Sequence, residues 1–439
     1  MAAEDMLFSR LRDSARSLWC NASFRRFWLA NFVSNLGTSA YVMALSWLTV
    51  KAYGSAGIAA ISLAYGLPQF LFEILGGAAA DRICRRRLFQ LTETAFLLAA
   101  LLLWLASMRG SVPLWFLVVV TACNGVISAF DSPARSALIS EMVPAHQLVD
   151  TAQIYSISAN ITNIFGPALG ALLLSVGTSE HSHEEMAFLF NVLSFLPLLA
   201  LIPFMVSGRS VSVNPQRRTA SFWHSVAEGL HFVRGRSDLR ALLQMLAVVM
   251  VLGMPFQGLL PIFVHGHHGM GASQGHGYYA ALLSAVGFGG LVGSLLGLVV
   301  GLDRRPGLPL LSAAAGLAVS ILMLTASDVI HWASLAAFFA GTCGVLVMNL
   351  DMALLQGFSP APLQGRVAAI ASLGKGMQSF STAAASGLMH ILAARFIGFS
   401  TGYGPVQIAM AAVLLMLVLL LWRPLQRIGL APLSGSGPT

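Results

Sequence analysis

The stretch GAAADRICRRR, residues 77–87, follows a long apolar run and carries four arginines within its last six positions. Lys and Arg resist translocation, so a basic cluster directly after an apolar run is typical of the cytoplasmic end of a membrane-spanning helix. The whole chain is 56% hydrophobic and 10% charged, whereas soluble domains have about 25% charged residues. The composition therefore excludes a soluble globular fold and favours a multi-spanning membrane protein.

Apolar runs recur along the chain at the length that a membrane requires. A helix needs about 20 apolar residues to cross the hydrocarbon layer, and it satisfies its backbone groups without water. We therefore predict an all-α membrane protein with twelve transmembrane helices. The predicted spans are 27–50, 56–80, 88–108, 112–134, 151–177, 187–206, 241–264, 276–301, 308–327, 330–356, 367–394 and 403–422.

The basic residues are distributed unevenly between the predicted loops. Most of the 25 Lys and Arg fall in the N-terminal segment, the even-to-odd loops and the C-terminal tail, and Arg135 is counted in the loop after the fourth span. Lys51, Arg109 and Arg395 fall on the other side. Because positive loops stay in the cytoplasm, we predict that both termini are cytoplasmic. Topology and anionic lipid then explain the net charge of +8, and no nucleic-acid partner is expected.

The chain is predicted to divide into two bundles of six spans. Residues 1–206 form the first bundle with its cytoplasmic N-terminal segment, 207–240 form a cytoplasmic linker, and 241–439 form the second bundle and the tail. Apolar residues between Phe222 and Val233 recur at nearly helical spacing. This spacing predicts an amphipathic surface helix within the linker.

The two halves echo each other in sequence. A Pro-Ala pair precedes the fifth predicted span at 144–145 and the eleventh at 360–361. An Asp-Arg pair likewise follows the second span at 81–82 and the eighth at 303–304. Repeated halves are typical of transporters in which two bundles rock about a shared site. The predicted fold is thus a pair of pseudo-symmetric six-helix bundles.

The stretch at 77–87 resembles the loop signature of the major facilitator superfamily, G-x-x-x-D-R-x-G-R-R, with Cys84 in place of the second glycine. A small residue lets two helices approach closely, and an acid suits the N-terminus of a neighbouring helix. The resemblance implies the major facilitator fold and a cytoplasmic gate in which Arg85 pairs with Asp131. The gating residues it implies are Gly77, Asp81, Arg82, Arg85, Arg86 and Asp131.

Further stretches resemble one branch of this superfamily, which contains enterobactin exporters and macrolide efflux proteins. They include FRRFW at 24–28, SNLGT at 34–38 and GPALG at 166–170. The resemblance implies a bacterial inner-membrane exporter of a small amphipathic molecule that works by alternating access and is coupled to proton influx. A siderophore is the first choice of cargo, and macrolide or multidrug efflux is the alternative. Proton-coupled uptake is the directional alternative, and an outer-membrane export partner is left open.

The Gly166-Pro167-x-x-Gly170 stretch also resembles the core of the antiporter signature in the fifth helix of proton-coupled drug exporters. The preceding glycine repeat is absent, because Thr162 stands four residues before Gly166. The alternative is that these residues kink the helix and let it pack tightly.

Five ionisable residues lie within or beside predicted spans: Glu73, Glu93, Asp131, Asp351 and Lys375. A charge in the membrane interior costs about 2.5–3.5 kcal/mol on insertion scales, so each needs a partner, a wet cavity or a function. Glu73 and Lys375 both lie about 12 Å from the cytoplasmic ends of their helices, by the helical rise per residue. They could form a buried ion pair that a proton on Glu73 would break, or else act separately in the cavity.

The sequence leaves alternative roles for two of these acids, Glu93 and Asp351. Glu93 is a candidate for proton coupling, or it has a packing or interfacial role. Asp351 is a second coupling candidate, near the cytoplasmic end of the tenth span. We expect it to pair with Arg304 or Arg305, which would repeat the arrangement of Asp131 and Arg85, or else with Lys375.

Polar residues recur at helical spacing in four spans and so share one face of each helix. They predict a cavity for an amphipathic solute, with hydrogen bonding between helices as the alternative. The candidate cavity residues are Asn31, Asn35, Thr38, Tyr41, Asn124, Ser128, Gln153, Asn160, Asn349 and Gln356.

Motifs for other chemistries are missing from the sequence. The four cysteines are widely spaced without a CxxC pair, and histidines near the predicted outer loops alternate with glycines, so no metal site is expected. Gly374-Lys375 is followed by Gly376 and does not complete a phosphate-binding loop. We therefore predict no cofactor and no enzymatic activity, and expect a small-molecule substrate, protons and the lipid bilayer as partners.

Overall fold

The computed structural model is almost entirely helical in the part of the chain that it describes. The described residues are 22–143, 148–176, 183–204, 235–267, 272–299, 307–327, 329–359, 361–395 and 403–426. The chain divides into two compact units, Met1–Arg217 with Met270–Ser284, and Arg218–Gly269 with Ala285–Thr439. The predicted linker helix falls in 205–234, outside the described residues.

The first half of the chain supplies five long helices to the first unit. They are α1 (Ala22–Arg82), α2 (Arg85–Ser107), α3 (Leu114–Met142), α4 (Leu148–Val176) and α5 (His183–Leu201), and a 3-10 turn, Ile202–Phe204, follows α5.

Helix α1 contains the first two predicted spans as two arms that meet at Gly54. This glycine has φ 59° and ψ −151°, a conformation that side-chain-bearing residues rarely adopt. Tyr41 in the first arm accepts a hydrogen bond from Asn124 (3.2 Å), and Tyr65 in the second arm donates to Ser128 (3.0 Å). Because Asn124 and Ser128 are one helical turn apart in α3, both arms lie along the same stretch of α3, and the chain doubles back at Gly54.

The second half of the chain is helical in the same way. Its elements are α6 (Ser237–Val248), a π-helical turn (Val249–Gly253), α7 (Phe256–His267), α8 (Ala272–Val299), α9 (Gly307–Thr325), α10 (Ile330–Gly357), α11 (Ala361–Arg395), α12 (Tyr403–Leu420) and the short α13 (Trp422–Gln426).

Ten helical stretches within the described residues are long and apolar enough to cross a membrane. The first of them, Ala22–Glu73, covers the first arm of α1 and most of the second, so it accounts for two predicted spans. Helix α11 adds a further helix of 35 residues. The helices therefore match the twelve predicted spans, and the prediction of an all-α, multi-pass membrane protein is confirmed.

One predicted boundary is wrong in a way that matters for the site. The fourth span was expected to end at residue 134, but α3 continues to Met142 with Pro133 inside it. Membrane helices tolerate an internal proline because neighbouring groups satisfy the carbonyl that it leaves free. As a result Arg135, which was counted in a loop, lies within the helix.

Glycines allow close helix contacts in the first unit. A Cβ atom added to Gly76 would collide with the backbone carbonyl of Ala129 in α3, and one added to Gly125 would collide with the carbonyl of Tyr65. The second arm of α1 and α3 therefore approach each other at backbone distance, as small residues permit in membrane helices.

Glycines also allow a close helix contact in the second unit, between α8 and α10. A Cβ atom at Gly289 or Gly293 would meet the carbonyls of Phe338 and Thr342, and one at Gly341 would meet the carbonyl of Val286. These are the eighth and tenth spans, the counterparts of the second and fourth. The halves thus repeat a glycine-mediated contact as well as a sequence pattern.

A π-helical turn interrupts the seventh span between α6 and α7. Pro255 has no backbone N–H and cannot bond to Val251, four residues earlier. The helix widens here, and the N–H of Met254 bonds to the carbonyl of Val249 at 2.8 Å. The hydroxyl of Ser381 in α11 donates to the freed carbonyl of Val251, so the break is satisfied by a neighbouring helix of the same unit.

We expect Ser381→Ala to destabilise the protein by about 1–2 kcal/mol, because it leaves the Val251 carbonyl without this donor. Thermal unfolding of the purified protein in detergent measures the effect. Ser312→Ala is the control, since Ser312 is exposed and its hydroxyl donates to the carbonyl of Pro309 within its own helix. Equal losses in the two variants would contradict the assignment.

Candidate functional site

An arginine buried among four helices of the first unit is the centre of the candidate site. The side chain of Arg135 in α3 is 18% exposed, and two acids, Asp131 and Glu93, lie against it with 7% and 0% exposure. We call Arg135 and the side chains that contact its guanidinium the arginine cluster.

Arg135 forms ion pairs with both acids. Its Nη2 atom lies 2.6 Å from Oδ2 of Asp131 and 3.0 Å from Oε1 of Glu93, and its Nε atom donates to the same Asp131 oxygen at 3.1 Å. One guanidinium group therefore bonds to two carboxyl groups, with two hydrogen bonds to Asp131 and one to Glu93.

The other terminal nitrogen of Arg135 bonds to neutral groups. Nη1 lies 2.7 Å from Oδ1 of Asn31, 3.0 Å from the hydroxyl of Tyr155 and 3.4 Å from Oδ1 of Asn35. The guanidinium carbon also lies 5.5 Å from the ring centre of Phe89, a cation–π distance. All three nitrogens of the guanidinium thus have acceptors, as a buried arginine requires.

Helical spacing brings these residues together. Asn31 and Asn35 are four apart on α1, Phe89 and Glu93 are four apart on α2, and Asp131 and Arg135 are four apart on α3. Residues at this spacing lie on the same face of a helix, one turn apart. Each of the three helices thus presents a pair of side chains to the cluster, and α4 adds Tyr155.

The two carboxyl groups differ in their remaining contacts. The second oxygen of Asp131 lies 2.8 Å from the hydroxyl of Thr92. The second oxygen of Glu93, Oε2, is buried and has no hydrogen-bond partner among the described residues. A buried polar atom without a partner costs about 1–3 kcal/mol. Of the two acids, Glu93 is therefore the one whose carboxyl group is incompletely hydrogen-bonded.

The expected ion pair between Arg85 and Asp131 is not present in this conformation. Arg85 instead donates to Oε1 of Glu141 at 2.9 Å, while Asp131 is bound to Arg135. The extension of α3 to Met142 explains the difference, because it places Glu141 near the start of α2 and Arg135 beside Asp131.

The other implied gating residues are only partly described. Arg86 donates to the carbonyl of Pro203, and the side chains of Asp81 and Arg82 lie outside the described residues. A Cβ atom added to Gly77 would meet no atom of the described residues within 4 Å, whereas Gly76 packs against α3. Neighbouring helix residues point about 100° apart, so in the first unit the close approach belongs to Gly76.

Most candidate cavity residues of the first unit form hydrogen bonds between helices. Asn31 and Asn35 bind Arg135, Tyr41 bonds to Asn124, and Ser128 accepts from Tyr65. This is the alternative interpretation of the polar stripes.

The remaining cavity candidates differ in their exposure and in their hydrogen bonds. Thr38 is exposed and bonds to the carbonyl of Ser34 in its own helix. Asn160 is buried, Asn349 and Gln356 are exposed on α10, and the side chain of Gln153 lies outside the described residues. Their role in a cavity stays a prediction.

The antiporter-like stretch packs closely against α1. A Cβ atom at Gly166 would collide with Ser39, and one at Gly170 would lie 3.1 Å from the carbonyl of Ala40. Pro167 lies within α4. These contacts support tight packing of α4 on the first arm of α1.

The other coupling candidates are outside the arginine cluster. Glu73 lies in the second arm of α1, and the side chain of Lys375 is outside the described residues, so their pairing stays a prediction. Asp351 in α10 is fully buried, and neither of its oxygens has a hydrogen-bond partner among the described residues. Its proposed partners Arg304 and Arg305 are likewise outside the described part.

Sequence reasoning missed Arg135, Tyr155 and Thr92. Arg135 was assigned to a loop because arginines collect at the ends of membrane helices. The signal that could have identified it is its position four residues after Asp131, which on a continuous helix brings the two charges together. No group of three or more potential metal ligands occurs among the described residues.

The helices and the buried charge cluster define a multi-pass α-helical membrane protein, and its family belongs to the major facilitator superfamily. This family and fold are those of membrane transporters and not of enzymes. The family model described as transmembrane secretion effector matches residues 14–428, and the chain belongs to this family of the superfamily.

Two relatives align with about half of the chain. The staphyloferrin A transporter of Staphylococcus aureus is 21% identical over 242 residues, and macrolide efflux protein A of Streptococcus pyogenes is 25% identical over 240 residues. Each alignment covers 54% of this chain and 58% of the relative. The chain thus spans less than two thirds of the length of these curated relatives.

A solved structure matches over nearly the whole chain. It is a bacterial homologue of the human lysosomal transporter Spinster, in an inward-facing, unoccupied conformation. The TM-score is 0.66 at 15% identity, and the match covers 93% of this chain and 99% of that one. At this identity the similarity concerns the fold alone.

Proposed function

We propose that the protein exports a small amphipathic molecule by alternating access, coupled to inward flow of protons. The observation that carries the proposal is the arginine cluster, in which four membrane helices of one unit meet at a buried charge. Ionisable groups inside membrane helices are costly and commonly mark substrate or proton pathways. The family of the chain and the names of its relatives agree with export.

A siderophore is the first choice of cargo. One relative is named as a transporter of staphyloferrin A, and another as a macrolide efflux protein, so macrolide export is the second candidate. Exposed polar side chains such as Thr38 and Asn349 accompany many apolar residues on the same helices, a combination that suits a molecule with both characters.

Proton coupling is supported by the composition of the arginine cluster. Two acids face a single arginine, so the net charge of the cluster changes by one when one proton binds or leaves. A charge change at a buried site shifts the balance between conformations that bury it to different extents. Cytoplasmic termini, implied by the distribution of Lys and Arg, place the end of α3 that bears Arg135 toward the cytoplasm.

Transport by everted membrane vesicles with an acidic interior tests the function. In this orientation an exporter moves its substrate into the vesicle as protons leave. We expect labelled staphyloferrin A to accumulate, and an uncoupler to abolish the accumulation. Accumulation of erythromycin alone would favour the second candidate, and accumulation of neither compound, or the same accumulation without a pH gradient, would contradict the proposal.

A further inference from the structure

We propose that Glu93 is the proton-binding residue of the arginine cluster and that it is neutral in the conformation described here. Its role in transport rests on the proposed function. Its protonation rests on the geometry of the cluster alone and can be measured without a substrate.

The first argument is charge balance. Arg135 carries one positive charge, and Asp131 and Glu93 would together carry two negative charges if both were ionised. A net charge buried in a membrane helix bundle is costly, whereas a single pair of opposite charges with full hydrogen bonding is tolerated. One proton on one of the two acids makes the cluster neutral.

The second argument concerns which acid holds the proton. Asp131 receives two N–H bonds from Arg135 on Oδ2, and Oδ1 faces the hydroxyl of Thr92. Ionised carboxylates are stabilised by such multiple donors. Glu93 receives one bond from Arg135 on Oε1 and none from the described residues on Oε2. A proton on Oε2 leaves Oε1 free to accept the Arg135 bond, so the geometry assigns the proton to Glu93.

Among the described residues, no further charged group changes this balance at Glu93. The charged groups acting on it are Arg135 and Asp131, and α1 and α4 contribute the neutral Asn31, Asn35 and Tyr155 through Arg135. The neighbouring α5 packs against α2 with Phe195 beside Phe96, three residues from Glu93.

The acids of α5 are distant from Glu93. Glu184 and Glu185 lie in the first turn of the helix, eleven and ten residues before Phe195, which is about 15 Å by the helical rise. On α2 itself, Arg85 lies eight residues from Glu93 and is held by Glu141. Among the described groups, Arg135 and Asp131 therefore control the proton on Glu93.

Loss of this proton gives the cluster a net negative charge. Arg135 cannot neutralise both carboxylates, so the deprotonated state favours a conformation in which Glu93 reaches water or a new cation. Binding a proton from water to Oε2 reverses the change. In this way the cluster links one proton to the conformation of the four helices.

Infrared difference spectroscopy of the full-length protein in lipid vesicles tests the protonation directly. A neutral carboxylic acid shows a carbonyl stretching band that its carboxylate lacks. Between acidic and alkaline buffer, we expect the wild type to lose one such band that Glu93→Gln never shows. Glu185→Gln is the control, because Glu185 lies in the first turn of α5, distant from the cluster. This variant should keep the band.

A second variant tests the charge balance. In Asp131→Asn, Glu93 is the one acid among the described residues left facing Arg135. We expect it to ionise and its band to be lost at the pH where the wild type shows it. A band that persists in Glu93→Gln but disappears in Asp131→Asn would place the proton on Asp131 and overturn the proposal. An unchanged spectrum in both variants would also overturn it. Failed transport with the expected spectra would overturn the transport function and leave the protonation intact.

Discussion

Arg135→Gln should destabilise the protein by about 3–5 kcal/mol and abolish transport. The substitution leaves Asp131 buried beside Glu93 without a positive charge, and breaking a buried ion pair by removing one partner typically costs this much. It also removes the N–H group that donates hydrogen bonds to Asn31 and Tyr155. Thermal unfolding in detergent and vesicle transport provide the two measurements.

Two comparisons make this prediction specific. Arg236→Gln removes an arginine that pairs with Asp238, with side chains 41% and 25% exposed, and that donates to the carbonyl of Phe358. Solvent-accessible pairs are worth up to about 1 kcal/mol, and one further hydrogen bond about 1 kcal/mol. Adding Asp131→Asn and Glu93→Gln to Arg135→Gln removes the uncompensated charge of Asp131 and leaves no acid of the cluster to ionise, so it should restore part of the stability. A stability loss no larger than that of Arg236→Gln would show that Arg135 is not buried among the acids.

Gly76→Leu should destabilise the first unit by about 3 kcal/mol. The Cβ atom of the new side chain would collide with the backbone carbonyl oxygen of Ala129. A backbone atom of a packed helix cannot move aside as a flexible side chain can. Overpacking of this kind typically costs about 1–3 kcal/mol, and more when helices must separate. Thermal unfolding of the purified protein measures the loss.

The adjacent Gly77 provides a matched control. A Cβ atom added at Gly77 meets no described atom within 4 Å, and leucine is a better helix former than glycine, so the effect of Gly77→Leu on stability should be small. Equal destabilisation by the two substitutions would contradict the packing of α1 against α3.

The length of apolar runs predicted the helices well, because crossing a membrane imposes a minimum length that the sequence must satisfy. Polar stripes were also informative, since Asn31 and Asn35 do face one common partner. The stripes could not reveal whether they face a cavity or another helix. That depends on which helices adjoin, and here Asn31, Asn35 and Asn124 bond to side chains of neighbouring helices.

The pairing of charges was harder to predict than the helices. Ending the fourth span at residue 134 places both Arg135 and Glu141 outside it, so Arg85 and Asp131 are expected to pair with each other and not with Glu141 and Arg135. A proline followed by an arginine is common both at the end of a membrane helix and inside a longer one. Only the packing of α2, α3 and α4 distinguishes the two cases, because it provides Glu93 and Tyr155 as partners for a buried guanidinium.

Proton release during transport tests the central claim most directly, that a proton on the arginine cluster is exchanged during export. Everted vesicles with an acidic interior and a pH-sensitive dye report it when staphyloferrin A or erythromycin, whichever the wild type accumulates, is added outside. We predict that the interior of wild-type vesicles becomes less acidic on addition of the compound, and that vesicles with Glu93→Gln show no such change. The same alkalinisation with Glu93→Gln as with the wild type would contradict the account.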